Sequence, residues 1–221
     1  MCGRFVLTTS LDTIQMAFGL DNLPASLPPR YNIAPTQPVA VVTNERPQEL
    51  AFYQWGLIPS WAKDPSIGSR MINARSESAA EKPAFRAAFK RRRCIIPADG
   101  FYEWQARGGS KVPLFIHLGE RELFGMAGLW EVWHSPEGDE VRTCTILTTD
   151  ANDFMQPIHN RMPVILRRDD YALWLSPDEP PSAALQALMK PYDPAPMRAY
   201  EVSKMVNRPG NDTPDCIRPV A

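Results

Sequence analysis

Cys2 follows directly on Met1 in MCGRF, and loss of the methionine would leave one residue carrying both an amine and a thiol. An α-amino group titrates near about 7.7 to 8.0 and a thiol near about 8.5, so each has an appreciable nucleophilic fraction at neutral pH. The amine would form a Schiff base with an aldehyde, and the adjacent sulfur could close on the same carbon to give a five-membered thiazolidine. Position alone favours a plainer role, a small buried hydrophobe second in the chain. The surrounding residues must decide.

Several polar residues stand in otherwise apolar or tightly turned segments. INARSE places Asn73, Arg75 and Glu77 after Met71 and Ile72, where an amide and a guanidinium could fix a ligand by directed hydrogen bonds. A surface turn with a helix cap at Ser76 or Ser78 explains that spacing slightly better. PADGFYEW sets Glu103 between Tyr102 and Trp104, and a carboxylate among aromatics is desolvated toward general acid or base duty. Strand alternation makes a solvent-facing Glu103 an equal reading, while Asp99 serves the turn. His159, in PIHNRMPV, is of the residue type suited to proton transfer near neutral pH, although a lone histidine is more often structural. His117 and His134 are assigned to structure.

WGLIPSW carries Trp55, Pro59 and Trp61 on a proline-containing loop that could stack on or wedge between nucleobases; core packing is preferred for Trp55, at a strand end. Lys90, Arg91, Arg92 and Arg93 form the dense basic block, read equally as phosphate contacts or as a solvated helix end favoured by the dipole. Arg4, two residues from Cys2, would hold a phosphate within reach of that nucleophile. No HxH, HExxH or Cys/His cluster appears, so neither a metal nor another cofactor is expected.

The elements that must position these groups are short. Thr8, Thr9 or Ser10 can cap a helix carrying Leu11, Ile14 and Phe18, with Gly19 as its stop. SLPPRYNIAPTQP has too many prolines for regular structure, whereas PVAVVTN and ELAFYQWGLI read as strands. SESAAEKPAFRAAFKRRR reads as a loop and then a helix, and CIIPADG leads out of it. FYEWQA and VPLFIHL flank a Gly-rich turn, as LFGMAGLWEVW and VRTCTILTT flank SPEGDE, giving two hairpins. A helical stretch near DANDFMQ, a strand MPVIL, helices around DDYALWL and SAALQALMK, and a strand RAYEVS complete the pattern. The fold class expected is α+β: a mainly antiparallel, curved, barrel-like sheet with peripheral helices, forming a single domain over residues 1–221.

With 221 residues, 44% hydrophobic and 22% charged, the chain falls in the soluble globular range. No stretch approaches the roughly 20 apolar residues of a membrane helix, and the N-terminus lacks a signal-peptide layout. An intracellular protein with reduced thiols is expected, cytoplasmic and nucleoid-associated if bacterial. The net charge of -1 gives no whole-molecule attraction for a polyanion, so any nucleic-acid site must be a local patch. The 23 prolines are scattered and imply many fixed turns.

Taken in order, MCGRF, YNIAP, WGLIPSW, INARSE, PADGFYEW, IHNRMPV and VSKMVN resemble the SOS response-associated peptidase (SRAP) family over nearly the whole chain. The resemblance implies a SRAP domain that binds single-stranded DNA and cross-links to abasic sites. Cys2 would be the cross-linking nucleophile, Asn73 would orient it, and Glu103 and His159 would handle protons. Arg4 and Arg75 would hold phosphates, and the loop with Pro59 and Trp61 would act as the wedge; Lys90 and Arg91 are counted as further DNA contacts on the reading of the basic block alone. The resemblance also implies autoproteolytic removal of Met1 and a lyase activity, hence a hydrolase, peptidase or lyase. The expected partner is single-stranded DNA containing abasic sites, with no membrane and a monomeric state. An N-terminal-nucleophile cysteine peptidase and a non-covalent single-strand binder are the alternatives.

Overall fold

The computed structural model describes residues 2–220. Met1, on whose loss the expected Cys2 chemistry depends, lies outside the described residues. The chain begins with β1 (Phe5–Leu7), then α1 (Leu11–Phe18), whose cap is Ser10, accepting from the Thr13 amide, and whose stop is the left-handed Gly19 at φ 64°. Next come β2 (Arg30–Ile33), β3 (Pro38–Thr43), β4 (Leu50–Trp55), β5 (Asn73–Arg75), α2 (Ser76–Ala79) and α3 (Arg86–Arg91). The long middle strands are β6 (Arg93–Ala98), β7 (Gly100–Arg107), β8 (Ser110–Leu118), β9 (Phe124–His134) and β10 (Glu140–Asp150). Short elements finish the chain: β11 (Arg161–Pro163), β12 (Ile165–Leu166), α4 (Tyr171–Trp174), α5 (Ser182–Leu188) and β13 (Met197–Glu201).

Five strands close on themselves. β4 pairs with β3, β3 with β6, β6 with β9 and β9 with β10, all antiparallel, and β10 returns parallel to β4. So small a barrel leaves little room between strands, and small residues mark the tight places. Gly128 lies opposite both Cys94 and Ile146, and a Cβ there would come within 2.9 Å of the Cys94 sulfur and the Thr145 carbonyl. Beside the barrel runs a second, antiparallel sheet in the order β13-β8-β7-β1-β2. The fold is thus mixed α+β with a closed barrel, as the strand pattern suggested.

Local readings fail in places where pairing is supplied from far away. The proline-rich stretch contains β2, held beside β1, and INARSE contains β5, laid parallel on β10. CIIPADG is not merely an exit from a helix, since residues 94–98 belong to β6, buried along its whole length. SESA makes a single helical turn of its own before α3. Around DANDFMQ no helix forms; consecutive turns run there, started by the Asn152 side chain accepting from the Met155 amide at 2.9 Å. No helix of the described residues is long and apolar enough to cross a membrane.

Asp99 fixes the strand that carries the N-terminus. Its two carboxylate oxygens accept from the backbone and hydroxyl groups of Thr8 and Thr9 just past β1. The Asp99 amide in turn donates to the Val6 carbonyl at 2.9 Å. The turn role expected of Asp99 is therefore also an anchor, holding β1 against the start of β7.

Candidate functional site

Cys2 and Glu103 meet through strand register. β1 and β7 pair with Phe5 opposite Phe101, and the Tyr102 amide donates to the Arg4 carbonyl at 2.9 Å. Continued one residue further, that register carries Glu103 opposite Gly3, beside Cys2. Both Cys2 and Glu103 are buried. Burial pushes the Cys2 thiol up to about 12, and the Glu103 charge pushes the same way against the opposing effect of the Arg4 backbone N–H. At neutral pH the sulfur is therefore a thiol, not a thiolate.

His159 approaches from the turns that precede β11. Gln105 lies two residues beyond Glu103, on the same face of β7, and its amide donates to the Pro157 carbonyl at 2.8 Å, tying the His159 turn to that strand. The Arg161 backbone N–H donates to His159 Nδ1 at 3.0 Å. With Nδ1 accepting, the neutral ring carries its proton on Nε2. Glu103, Trp104, Lys111, His159 and Asn207 line one open cleft of about 470 Å³. Two of the four residues assigned to chemistry from sequence thus share a cleft, and a third, Cys2, adjoins it through Glu103.

Asn73 is linked to β1 through Trp55. Phe5 makes an edge contact with Trp55 at 5.3 Å between ring centroids, and the Trp55 indole donates to the Ile72 carbonyl at 2.8 Å. The Asn73 amide nitrogen donates to that same carbonyl at 3.0 Å. Its oxygen is buried with no hydrogen-bond partner among the described residues, an acceptor left open to a donor. Glu77, also from INARSE, pairs with the buried Arg161, which Asp150 holds at 2.7 Å. This ion pair bolts INARSE to the His159 segment. Arg75 is exposed at the end of β5.

Arg4 is committed more deeply than its sequence position implied. Its guanidinium donates to Asn32 Oδ1 at 2.7 Å and to the Val206 carbonyl at 2.5 Å, and it lies 5.9 Å from the centroid of Trp104. Asn32 is fully buried, and its amide donates to the carbonyls of Val206, Arg208 and Asn211. Asn207, next to Val206, accepts from the Trp104 indole at 2.8 Å. MCGRF, YNIAP, PADGFYEW and VSKMVN are therefore one hydrogen-bonded unit. Residue-by-residue reading missed Asn32, Asn207, Arg161 and Lys111; the order of the quoted motifs was the available signal for the first three.

The WGLIPSW loop is anchored at both ends and bare at its tip. Ile58 N–H donates to Thr143 Oγ1 at 2.9 Å, and the Trp133 indole donates to the Ala62 carbonyl at 2.7 Å. Gly56, at φ 129°, approaches Gly68 so closely that a Cβ would lie 2.6 Å from its carbonyl oxygen. Trp55 and Pro59 are buried, whereas Trp61 is 60% exposed. A fixed loop thus displays one bare indole.

Lys90 and Arg91 both pair with Glu179 at 2.7 Å, and Arg92 pairs with Glu131 at 2.7 Å. Arg93, fully buried, donates to the carbonyls of Phe89, Lys90, Trp174, Ser176 and Asp178. Six residues of β6, at about 3.3 Å each, hold this block roughly 17 Å from the Asp99 end that anchors β1. The structure does not gather it with Cys2, Glu103 and His159. Those three are a buried thiol, a buried carboxyl group and a histidine whose Nδ1 accepts a backbone N–H.

Residues 1–209 match the family model described as SOS response associated peptidase (SRAP). The chain is 47% identical over 221 residues to the abasic site processing protein YoqW of Bacillus subtilis (strain 168), covering 98% of this chain and 99% of that protein. It is 38% identical over 191 residues to the abasic site processing protein HMCES of Gallus gallus, covering 76% of this chain and 56% of that protein. A crystal structure of a protein from Bacteroides thetaiotaomicron superposes over all of both chains with a TM-score of 0.90 at 27% identity. One from Bordetella bronchiseptica gives a TM-score of 0.79 at 27% identity over 91% of this chain.

Proposed function

The chain belongs to the SOS response associated peptidase family, and from that membership we propose that it processes abasic sites by bonding Cys2 covalently to the lesion in single-stranded DNA. The observation that carries this reading is the placement of Cys2 against Glu103, which lines one cleft with His159. An abasic sugar equilibrates with a ring-opened aldehyde and bears no base, so a group buried at the end of a cleft is reachable only by a baseless position. Release of Met1 frees the nitrogen that the chemistry needs. That release and the bonding are catalytic events of one intracellular, monomeric domain.

The amine attacks first, because the thiol is held protonated. Nitrogen bonds to the aldehyde carbon, the carbonyl oxygen leaves as water, and an imine remains. His159 Nε2–H donates toward the departing oxygen, and the open oxygen of Asn73 accepts from the amine and orients it. Sulfur then bonds to the same carbon while its proton passes through Glu103 to the nitrogen, closing the thiazolidine with net loss of one water. Strand cleavage of the lyase type diverges from the imine. A peptidase using a Cys2 thiolate is less well supported, since burial and Glu103 both disfavour that anion.

The test is direct. Purified protein incubated with an abasic single strand is expected to give a denaturation-resistant, slower band that Cys2→Ala lacks. An intact mass that retains Met1 together with normal adduct formation would sink the proposal.

A further inference from the structure

The hairpin of β7 and β8 outruns its neighbours. β1 and the residues before it bond β7 as far as Tyr102 on one side, and β13 with Val202 flanks β8 over residues 113 to 118 on the other. From Gln105 to Val112 the two strands pair only with each other. The projecting arm is steadied at its flanks by Gln105 on the Pro157 carbonyl and by Arg107 on Glu201 at 3.1 Å. Lys111 sits on this arm, opposite Ala106 and diagonal to Trp104 on the same face. It is exposed, lines the cleft of Glu103 and His159, and makes no ion pair among the described residues.

We infer that Lys111 is a phosphodiester-binding residue for the nucleotide flanking the lesion, and that the arm is one wall of the strand's path; this rests on the reading of the cleft as an abasic-site pocket. The argument is electrostatic. A single strand is a polyanion, and the cleft it must enter contains the Glu103 carboxylate, which repels a phosphate. The net charge of -1 offers no compensating field, the basic block of α3 is paired with Glu179, and Arg107 is paired with Glu201. The exposed ammonium of Lys111 and the buried carboxyl of Glu103 stand on opposite faces of the hairpin and so separate the incoming groups: the uncharged aldehyde carbon goes to Glu103, and the anionic linkage stays with Lys111. A lysine, whose ammonium is a point charge on a flexible stem, tolerates a backbone that bends at the baseless position.

The experiment follows fluorescence anisotropy of a labelled single strand bearing a tetrahydrofuran abasic analogue, which cannot form an adduct, from about 50 to about 200 mM KCl. One phosphate contact contributes roughly 0.7 to the slope of log affinity against log salt on single strands. Lys111→Ala is expected to flatten the slope by about that amount, so the variant's deficit in affinity shrinks roughly two- to threefold across the range. Lys111→Arg restores it. With a reactive abasic strand, the half-saturating concentration of Lys111→Ala rises while its saturating adduct rate stays within about twofold of wild type. An unchanged slope overturns the assignment, as does a changed saturating rate at constant slope. Wild-type protein that binds the strand and shows the Lys111 slope, yet forms no adduct, would defeat the cross-linking reading and leave the phosphate contact standing.

Discussion

The two cationic regions of this molecule are opposites. Lys90 to Arg93 is dense in sequence, yet its first three members are engaged in ion pairs with Glu179 and Glu131 and five carbonyls consume the fourth. The cleft lined by Glu103 and His159 draws single residues from distant segments, and its lysine carries no ion pair among the described residues. Charge counted along the chain therefore differs from charge available in space. Where the carbonyls of a helix end and a following loop converge, an arginine is recruited as scaffold.

The contrast can be attacked at its strongest point first. Glu103→Gln keeps the shape of the cleft and removes its proton acceptor, so adduct formation should slow by about 100- to 10,000-fold without vanishing. Single-turnover rates read from denaturing gels measure this; an unaltered rate would strip the cleft of its chemistry.

Arg93→Ala tests the other region. It leaves five carbonyls without their donor inside a buried cavity and should cost about 3 to 5 kcal/mol of folding stability. Denaturant melts give the stability, and adduct rates per folded molecule should hold. A variant with normal stability but poor DNA affinity would reverse the roles of the two regions.

The smallest effect is expected of the joint change Lys90→Ala and Arg91→Ala. Exposed ion pairs contribute about 0 to 1 kcal/mol, so both the melt and the affinity for an abasic strand should move by no more than about fivefold in their equilibrium constants. A tenfold loss of affinity would show that the pair with Glu179 opens to receive DNA.

What could be read from sequence follows the range of the forces involved. α1 was legible because Ser10 and Gly19 act within a few residues of it, and the hairpin arm because its turn is encoded by adjacent glycines. β2, β5 and β6 were not, since their partners lie across the barrel or in the second sheet. β6 in particular is a short apolar run containing Pro97, a pattern with no periodicity to read. Within the site, Cys2 stood out by position, and Glu103 and His159 by chemistry. Asn32 did not: its amide serves three carbonyls near the far end of the chain, a demand that nothing local to YNIAP encodes. Lys111 looked like any hairpin lysine until the arm was seen to outrun its neighbours.

The sequestered sulfur of Cys2 has a consequence for the cell as well as for the lesion. Peroxide and alkylating agents react with the anionic form of cysteine far faster than with the neutral one. A sulfur kept neutral is spared by the small electrophiles that accompany DNA damage. On the proposed mechanism, the sulfur would pass through an oxidising episode unmodified and stay available for an aldehyde delivered to the adjoining nitrogen.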